Sequence, residues 1–245
     1  MALPRREFLA AGAVICIMSD KLFDNLRARM MAEIATEAAL TASCTGKAAF
    51  SGRVMRVVGK MPRHEFVPLE LQSYAYLNRP LPIGYDKTVS QPFIVALMTD
   101  LLEIESGDKV LEIGAGAGYQ AAILAELAKQ VYSVDIIDEL VRGARERLRR
   151  LGYANVEFRV GNGYYGWAEH APYDKIMVTA ACELIPPALI AELKPGGRMV
   201  VPTGIPDKQA LTLVEKSRSG RLTTRDMLPV RFSDLEEQGG PAGRA

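Results

Sequence analysis

Lys109-Val-Leu-Glu-Ile-Gly-Ala-Gly-Ala-Gly-Tyr119 is the stretch from which the fold is read. Val110–Ile113 is a short apolar run and predicts a buried strand. It leads directly into glycines at alternate positions, Gly114, Gly116 and Gly118, and then into a helical pattern, Gln120–Ala128. Strand, glycine turn and helix form the opening unit of a doubly wound α/β domain. Glycines there let the backbone take positive φ and bring main-chain N–H groups close to a ligand.

The spacing narrows the ligand. A dinucleotide fingerprint, G-x-G-x-x-G, would place its third glycine at position 119, where Tyr119 stands. Read from Glu112, the stretch is E-x-G-x-G-x-G, which resembles the turn of S-adenosylmethionine (AdoMet) methyltransferases. Gln130-Val-Tyr-Ser-Val-Asp135 is a second apolar run. It ends in an acid about 20 residues past the first glycine, where a carboxylate can accept from ribose hydroxyls. The glycine pattern alone also fits a tight turn with no ligand. Together with Asp135 it favours AdoMet over a nicotinamide cofactor.

Composition bounds the function. At 245 residues the chain can bury a full core, and its net charge of +1 implies no strong electrostatic partner. No basic stripe with interleaved aromatics is present, so neither nucleic acid nor membrane is an expected partner. The Arg-rich run Arg142–Arg150 alternates with Val141, Ala144 and Leu148 and reads as a solvated helix face. Cys16, Cys44 and Cys182 are scattered and His64 and His170 lie far apart, so no metal site is expected. Sparse cysteines fit a reducing compartment.

In chain order, Pro4-Arg5-Arg6-Glu7-Phe8-Leu9 followed by an apolar run resembles a twin-arginine export signal. It lacks a small-x-small cleavage site, and Met18-Ser-Asp-Lys reads as a natural start. Residues 1–17 are therefore expected to be an extension of a cytoplasmic protein, with periplasmic export the alternative. Residues 18–68 are expected to form a helical appendage: one helix over Asp20–Ala39 with Leu22, Leu26, Met30 and Ile34 inward, a loop over Thr41–Gly52, and a second helix over Ser51–Lys60. Residues 69–235 would form the main domain. A proline-rich segment leads to Ser90, read as a cap for the helix Phe93–Leu102. Further strands are predicted at Val156–Val160, Tyr173–Thr179, Met199–Pro202, Ala210–Lys216 and around Leu228–Phe232, with helices over Asp138–Leu151 and Pro187–Leu193. The tail 236–245 is expected to be disordered. Alternation of strands and helices predicts a mostly parallel sheet with ligands at the strands' carboxyl ends.

Several segments together resemble the protein-L-isoaspartate O-methyltransferase family. They are Met61-Pro-Arg-His-Glu-Phe-Val-Pro68, Pro80-Leu-Pro-Ile-Gly84, Thr88-Val-Ser-Gln-Pro92, Val110–Ala122, Leu193-Lys-Pro-Gly-Gly197 and Pro229-Val-Arg-Phe232. The resemblance spans roughly residues 20–235. It implies a Rossmann-like, seven-stranded, mostly parallel sheet with a helical N-terminal appendage. It also implies methyl transfer from AdoMet to the free carboxylate of L-isoaspartyl or D-aspartyl residues in damaged proteins, by an enzyme expected to be a monomer. Ser90 then matches the active-site serine. Cofactor contacts fall on Thr88, Val89, Glu112, Gly114, Ala115, Gly116, Asp135 and Ile136, with Gly161, Asn162 and Gly163 at the adenine. Peptide contacts fall on Val201, Pro202, Thr203, Val230 and Arg231.

The chain departs from the family pattern at several places. Asn162 stands where aspartate is usual, and Asn78 where an acid is frequent. Tyr85-Asp-Lys87 and Ser233-Asp234 replace less charged segments, and Glu192 replaces a common glutamine. These departures bear on substrate identity more than on AdoMet. They leave open a related carboxylate methyltransferase acting on another peptide, and a non-catalytic AdoMet-binding protein. A carboxylate with a pKa near 4 is already a nucleophile at neutral pH and needs no general base. Thr88-Val-Ser-Gln-Pro92 is also no G-x-S-x-G elbow, so Ser90 is read as a positioning hydroxyl and not a covalent nucleophile.

Overall fold

The computed structural model describes the backbone of residues 5–235 and the side chains of residues 22–235. Helix α1 covers Arg5–Leu40, so Asp20 lies within it and not at its start. Its inward face begins later than the spacing suggests: Leu22 is exposed, while Met30 and Ile34 are fully buried. The expected loop after it contains one helical turn, α2 (Ala42–Thr45). Helix α3 (Gly52–Lys60) starts where Ser51 Oγ accepts from Val54 N at 3.3 Å, and buries Val54, Val57 and Val58. These residues share one hydrophobic cluster with Phe93 and Leu97, so the N-terminal helices pack into the core of the main sheet. The side chains on which the 1–17 reading rests, and the tail 236–245, lie outside the described residues.

A small antiparallel hairpin follows, β1 (Leu81–Gly84) and β2 (Lys87–Val89). Tyr85 and Asp86 both have φ of 55°, the conformation that a tight two-residue hairpin turn requires. Helix α4 (Pro92–Leu102) has Pro92 in its first turn and is buried along its whole length. Its cap is Gln91, with no side-chain cap bond, so Ser90 is not the cap that its place before Gln91-Pro92 suggested.

The main sheet takes β3 (Lys109–Ile113), β4 (Gln130–Asp135), β5 (Val156–Val160) and β6 (Tyr173–Val178) as parallel strands. Helices α5 (Tyr119–Ala125) and α6 (Asp138–Arg150) connect the first three. In α6, Asp138 and Glu139 occupy the first turn and Arg147, Arg149 and Arg150 the last, matching the helix dipole. After α7 (Pro187–Glu192), β7 (Leu193–Ile205) pairs parallel to β6. It turns back through β8 (Lys208–Lys216) to the edge strand β9 (Leu222–Val230). The order is β5-β4-β3-β6-β7-β8-β9, and β8 alone opposes the common direction. This is the expected seven-stranded, mostly parallel architecture.

Two strands differ most from their sequence reading. β7 begins at Leu193 because the Lys194-Pro-Gly-Gly197 segment is absorbed as a register shift. A Cβ on Gly197 would come within 2.8 Å of the Asp174 carbonyl oxygen. β9 begins at Leu222 and ends at Val230, earlier than the predicted Leu228–Phe232. Its first half is exposed at the sheet edge, so it carries polar residues and no apolar alternation to read.

Candidate active site

The chain passes β3 to β5 on one side of the sheet and then crosses to β6 on the other. The strand order therefore reverses beside β3, and the crevice at that reversal is where an open α/β sheet binds ligands. A cavity of about 900 Å³ opens there. It is lined by Gly114 and Gly116 after β3, Asp135 and Ile136 after β4, Asn162 and Gly163 after β5, and Thr179 and Ala180 after β6. Thr88, Ser90 and Gln91 form the facing wall, and Leu228–Leu235 close one end. That volume suits a small-molecule ligand together with part of a second one.

The glycine turn is built for close approach. Gly114, Gly116 and Gly118 have φ of 95°, 51° and 85°. A Cβ on Gly114 would sit 2.2 Å from Thr179 Oγ1. That hydroxyl donates to the carbonyls of Gly114 at 2.8 Å and Ile113 at 3.0 Å, tying the turn to the end of β6. A Cβ on Gly118 would sit 2.8 Å from Leu148 Cδ1, so this glycine serves the packing of α5 on α6. Asp135 braces the turn from the neighbouring strand. Its Oδ2 accepts from Gly116 N at 2.8 Å and its Oδ1 from Ile137 N at 3.0 Å. Each carboxylate oxygen keeps a further lone pair, the capacity needed for a ribose diol.

Ser90 stands opposite. The alternation of β2 buries Val89 and turns Thr88 and Ser90 towards the cavity. The Ser90 hydroxyl has no hydrogen-bond partner among the described residues, whereas its backbone is held firmly. Arg63 Nη2 donates to the Ser90 carbonyl at 2.8 Å, and Arg63 Nε to that of Ala75 at 2.8 Å. Arg63 is wholly buried, with its guanidinium 4.7 Å from the Tyr119 ring centre. From α1, the Glu37 carboxylate accepts from Asn78 Nδ2 at 2.7 Å and Gln91 Nε2 at 3.1 Å. Asn78 Oδ1 accepts in turn from Phe93 N at 2.9 Å. Asn78 thus does not supply the acid that the family pattern has there; Glu37 brings a carboxylate to the same spot. Neither Glu37 nor Arg63 was singled out from the sequence, because their partners lie far along the chain.

The structure does not bring all the named residues to the cavity. Val89, Ala115 and Gly161 lie beside it without lining it, the first two buried. Glu112 does not line it and is fully buried, hydrogen-bonded to the Ser133 hydroxyl. Loss of water there pushes its carboxyl up to about 8, with the nearby Asp135 adding to the shift and Ser133 opposing it. Val201 and Pro202 are buried in β7, and neither they nor Thr203 lines the cavity. Thr203 instead shares a hydrogen bond with Thr212. Val230 and Arg231 do line it. So do Ser233 and Asp234, because the chain folds back after β9, with Ala181 N donating to the Ser233 carbonyl at 2.8 Å. His64 is stacked on Phe23, 4.2 Å between ring centres, and bonds Tyr76 Oη, away from the cavity.

Comparison with known proteins agrees with this geometry. Residues 37–239 match the model of the protein-L-isoaspartate(D-aspartate) O-methyltransferase family. The chain is 59% identical over 220 residues to protein-L-isoaspartate O-methyltransferase 1 of Polaromonas sp. strain JS666, covering 90% of this chain and 93% of that one. It is 54% identical to protein-L-isoaspartate O-methyltransferase 2 of Syntrophobacter fumaroxidans, covering 93% and 92%. A solved protein-L-isoaspartate O-methyltransferase superposes with a TM-score of 0.73 at 30% identity, over 87% of this chain and 66% of that one. A Plasmodium falciparum structure in complex with S-adenosyl-L-homocysteine superposes at 0.72, over 86% and 98%. At 18% identity it speaks to the fold alone.

Proposed function

Since this chain belongs to the protein-L-isoaspartate(D-aspartate) O-methyltransferase family, we propose that the cavity between the glycine turn and Ser90 is where it methylates the free carboxylate of isoaspartyl residues in damaged proteins. The methyl ester then collapses to a succinimide, which reopens in part to ordinary aspartate. The observation that carries this reading is the pairing of two walls across one cavity. One is a glycine cradle braced by Asp135; the other is a held serine whose hydroxyl is unengaged among the described residues.

AdoMet, when bound, supplies a methyl group already activated on sulfur. The chain's own residues do the rest by placement. The glycine turn and Asp135 would hold the nucleoside, with Asn162 and Gly163 lining the cavity beside them. Ser90 would donate a hydrogen bond to the acceptor carboxylate and so hold it in one orientation. The carboxylate is ionised at neutral pH, so no residue needs to remove a proton from it. Orientation of this kind can supply several kcal/mol of barrier reduction. Arg63 and Glu37 act on the Ser90 segment, which they hold through its backbone and through Gln91 and Asn78. The peptide would lie along Val230–Phe232, where Val230 and Arg231 border the cavity.

The same reading takes the chain as a cytoplasmic monomer that binds neither nucleic acid nor membrane. Its near-neutral net charge supports the absence of a strong electrostatic partner. No helix among the described residues is long and apolar enough to cross a membrane. Radiolabelled methyl transfer from AdoMet to an isoaspartyl peptide and to its aspartyl twin tests the proposal. Transfer to the isoaspartyl peptide alone is expected; equal transfer to both would count against selection of damaged residues.

A further inference from the structure

The wall that carries Ser90 is backed by a positive charge with no carboxylate to neutralise it. Arg63 is wholly buried and does not line the cavity. Among the described residues its guanidinium meets only neutral partners. They are the carbonyls of Ala75 at 2.8 Å, Ser90 at 2.8 Å and Arg79 at 3.4 Å, and the Tyr119 ring. Loss of water lowers its pKa, and the groups that oppose the shift are Tyr119 and Tyr76, not an acid. A guanidinium keeps its charge even so. Buried charges are ordinarily paired, so an unpaired one next to a site needs a reason. A serine hydroxyl lies about 4 Å or less from its own carbonyl oxygen. The Arg63 nitrogen that bonds the Ser90 carbonyl is therefore within about 7 Å of the Ser90 hydroxyl.

Resting on Ser90 as the group that holds the acceptor, we propose that the Arg63 charge makes the site select the anionic acceptor over its neutral product. The charge acts through the wall without touching substrate, so Arg63 is a positioning residue that also sets selectivity. In the transfer, a carboxylate oxygen bonds to the methyl carbon while the carbon–sulfur bond breaks and its electron pair stays on sulfur. Carboxylate and sulfonium become a neutral ester and a neutral thioether. The anion that Arg63 attracts is gone once the methyl group has moved, and the ester is held less tightly than the acid. Two other cations line the cavity, the half-buried Lys87 and the exposed Arg231, where salt screens them. Arg63 is sealed from solvent and is screened much less. Glu37 lines the same cavity with the opposite sign, and its carboxylate is already engaged by Asn78 and Gln91.

The test is calorimetric binding of two peptides in saturating S-adenosylhomocysteine. One is an isoaspartyl peptide with no other acid; the other is its isoasparaginyl twin, whose amide stands for the neutral ester. The wild type is expected to prefer the acid by about tenfold or more. That preference should fall by less than about twofold between about 0.05 M and about 0.5 M salt. Arg63→Lys keeps the charge and should keep most of the preference. Arg63→Gln keeps a donor for the Ser90 carbonyl and should lose most of it. A purely structural role would weaken both peptides alike and leave their ratio unchanged in Arg63→Gln, which would overturn the inference. Equal affinity for the two peptides in the wild type would also overturn it. So would a preference that collapses in high salt or disappears in a Lys87→Gln, Arg231→Gln double variant. Where thermal melting shows that a core substitution at Arg63 has unfolded the chain, the salt series and the double variant decide. Binding of neither peptide to the wild type would overturn instead the assignment of the cavity to an isoaspartyl acceptor, and is recognisable as a separate result.

Discussion

Ser90 shows how little of a residue's role its local sequence carries. Placed before Gln91-Pro92 it reads as a helix cap, yet α4 begins without it. Its carbonyl is held by Arg63 and its hydroxyl has no partner among the described residues. A hydrogen bond to a charged group contributes about 1.5–3 kcal/mol. Ser90→Ala is therefore expected to lower kcat/KM for an isoaspartyl peptide by about tenfold to a hundredfold. Affinity for S-adenosylhomocysteine, measured by calorimetry, should stay within about twofold, because Ser90 lies outside the glycine turn. Unchanged turnover would remove Ser90 from the reaction. Asp135 was legible in the sequence as an acid ending a strand. Its bond to Gly116 N was not, because a carboxylate that braces a turn and one that binds ribose have the same spacing.

At the scale of elements, the strand–turn–helix unit was legible because three independent signals coincide in it: an apolar run, alternate glycines and a helical period. The close fit behind it was not. Thr179 lies on a different strand, and only the folded sheet brings its hydroxyl to 2.2 Å from where a Gly114 Cβ would stand. Gly114→Ala must both relax a φ of 95° and displace that hydroxyl. We expect a loss of about 2 kcal/mol or more in stability, measured by denaturant unfolding, with weakened cofactor binding. Wild-type affinity in a fully folded Gly114→Ala variant would contradict the close-approach role of the turn. β9 was the element least legible, since an exposed edge strand needs no apolar alternation. Its end, Val230, and the returning segment to Leu235 nonetheless border the site.

Across the whole molecule, the site depends on elements distant in sequence. Glu37 from α1, Ser90 from the hairpin, the turn after β3 and the segment after β9 meet at one crevice. The fold class was readable because it follows from periodicity. The assembly of the site was not, because its contacts span tens of residues and leave no periodic trace. Glu112 marks a cost inside this framework. Burial holds its carboxyl near 8 in the folded chain against an ordinary value of 4.5. The folded state thus keeps a proton that the unfolded chain gives up across this window. The contribution of this proton to stability is full below pH 4.5 and is lost as pH rises towards 8. Glu112→Gln should remove that slope, by up to about 1.4 kcal/mol per pH unit. Unfolding curves of the two proteins that stay parallel between pH 5 and 8 would show that no such proton is held. A crystal structure with S-adenosylhomocysteine and an isoaspartyl peptide would show directly whether one cavity joins the glycine turn to a carboxylate held by Ser90. The isoaspartyl carboxylate is expected within hydrogen-bond distance of Ser90 Oγ, with the homocysteine sulfur on the side of Gly114–Gly116. A carboxylate seated away from Ser90, with the nucleoside outside the turn, would contradict it.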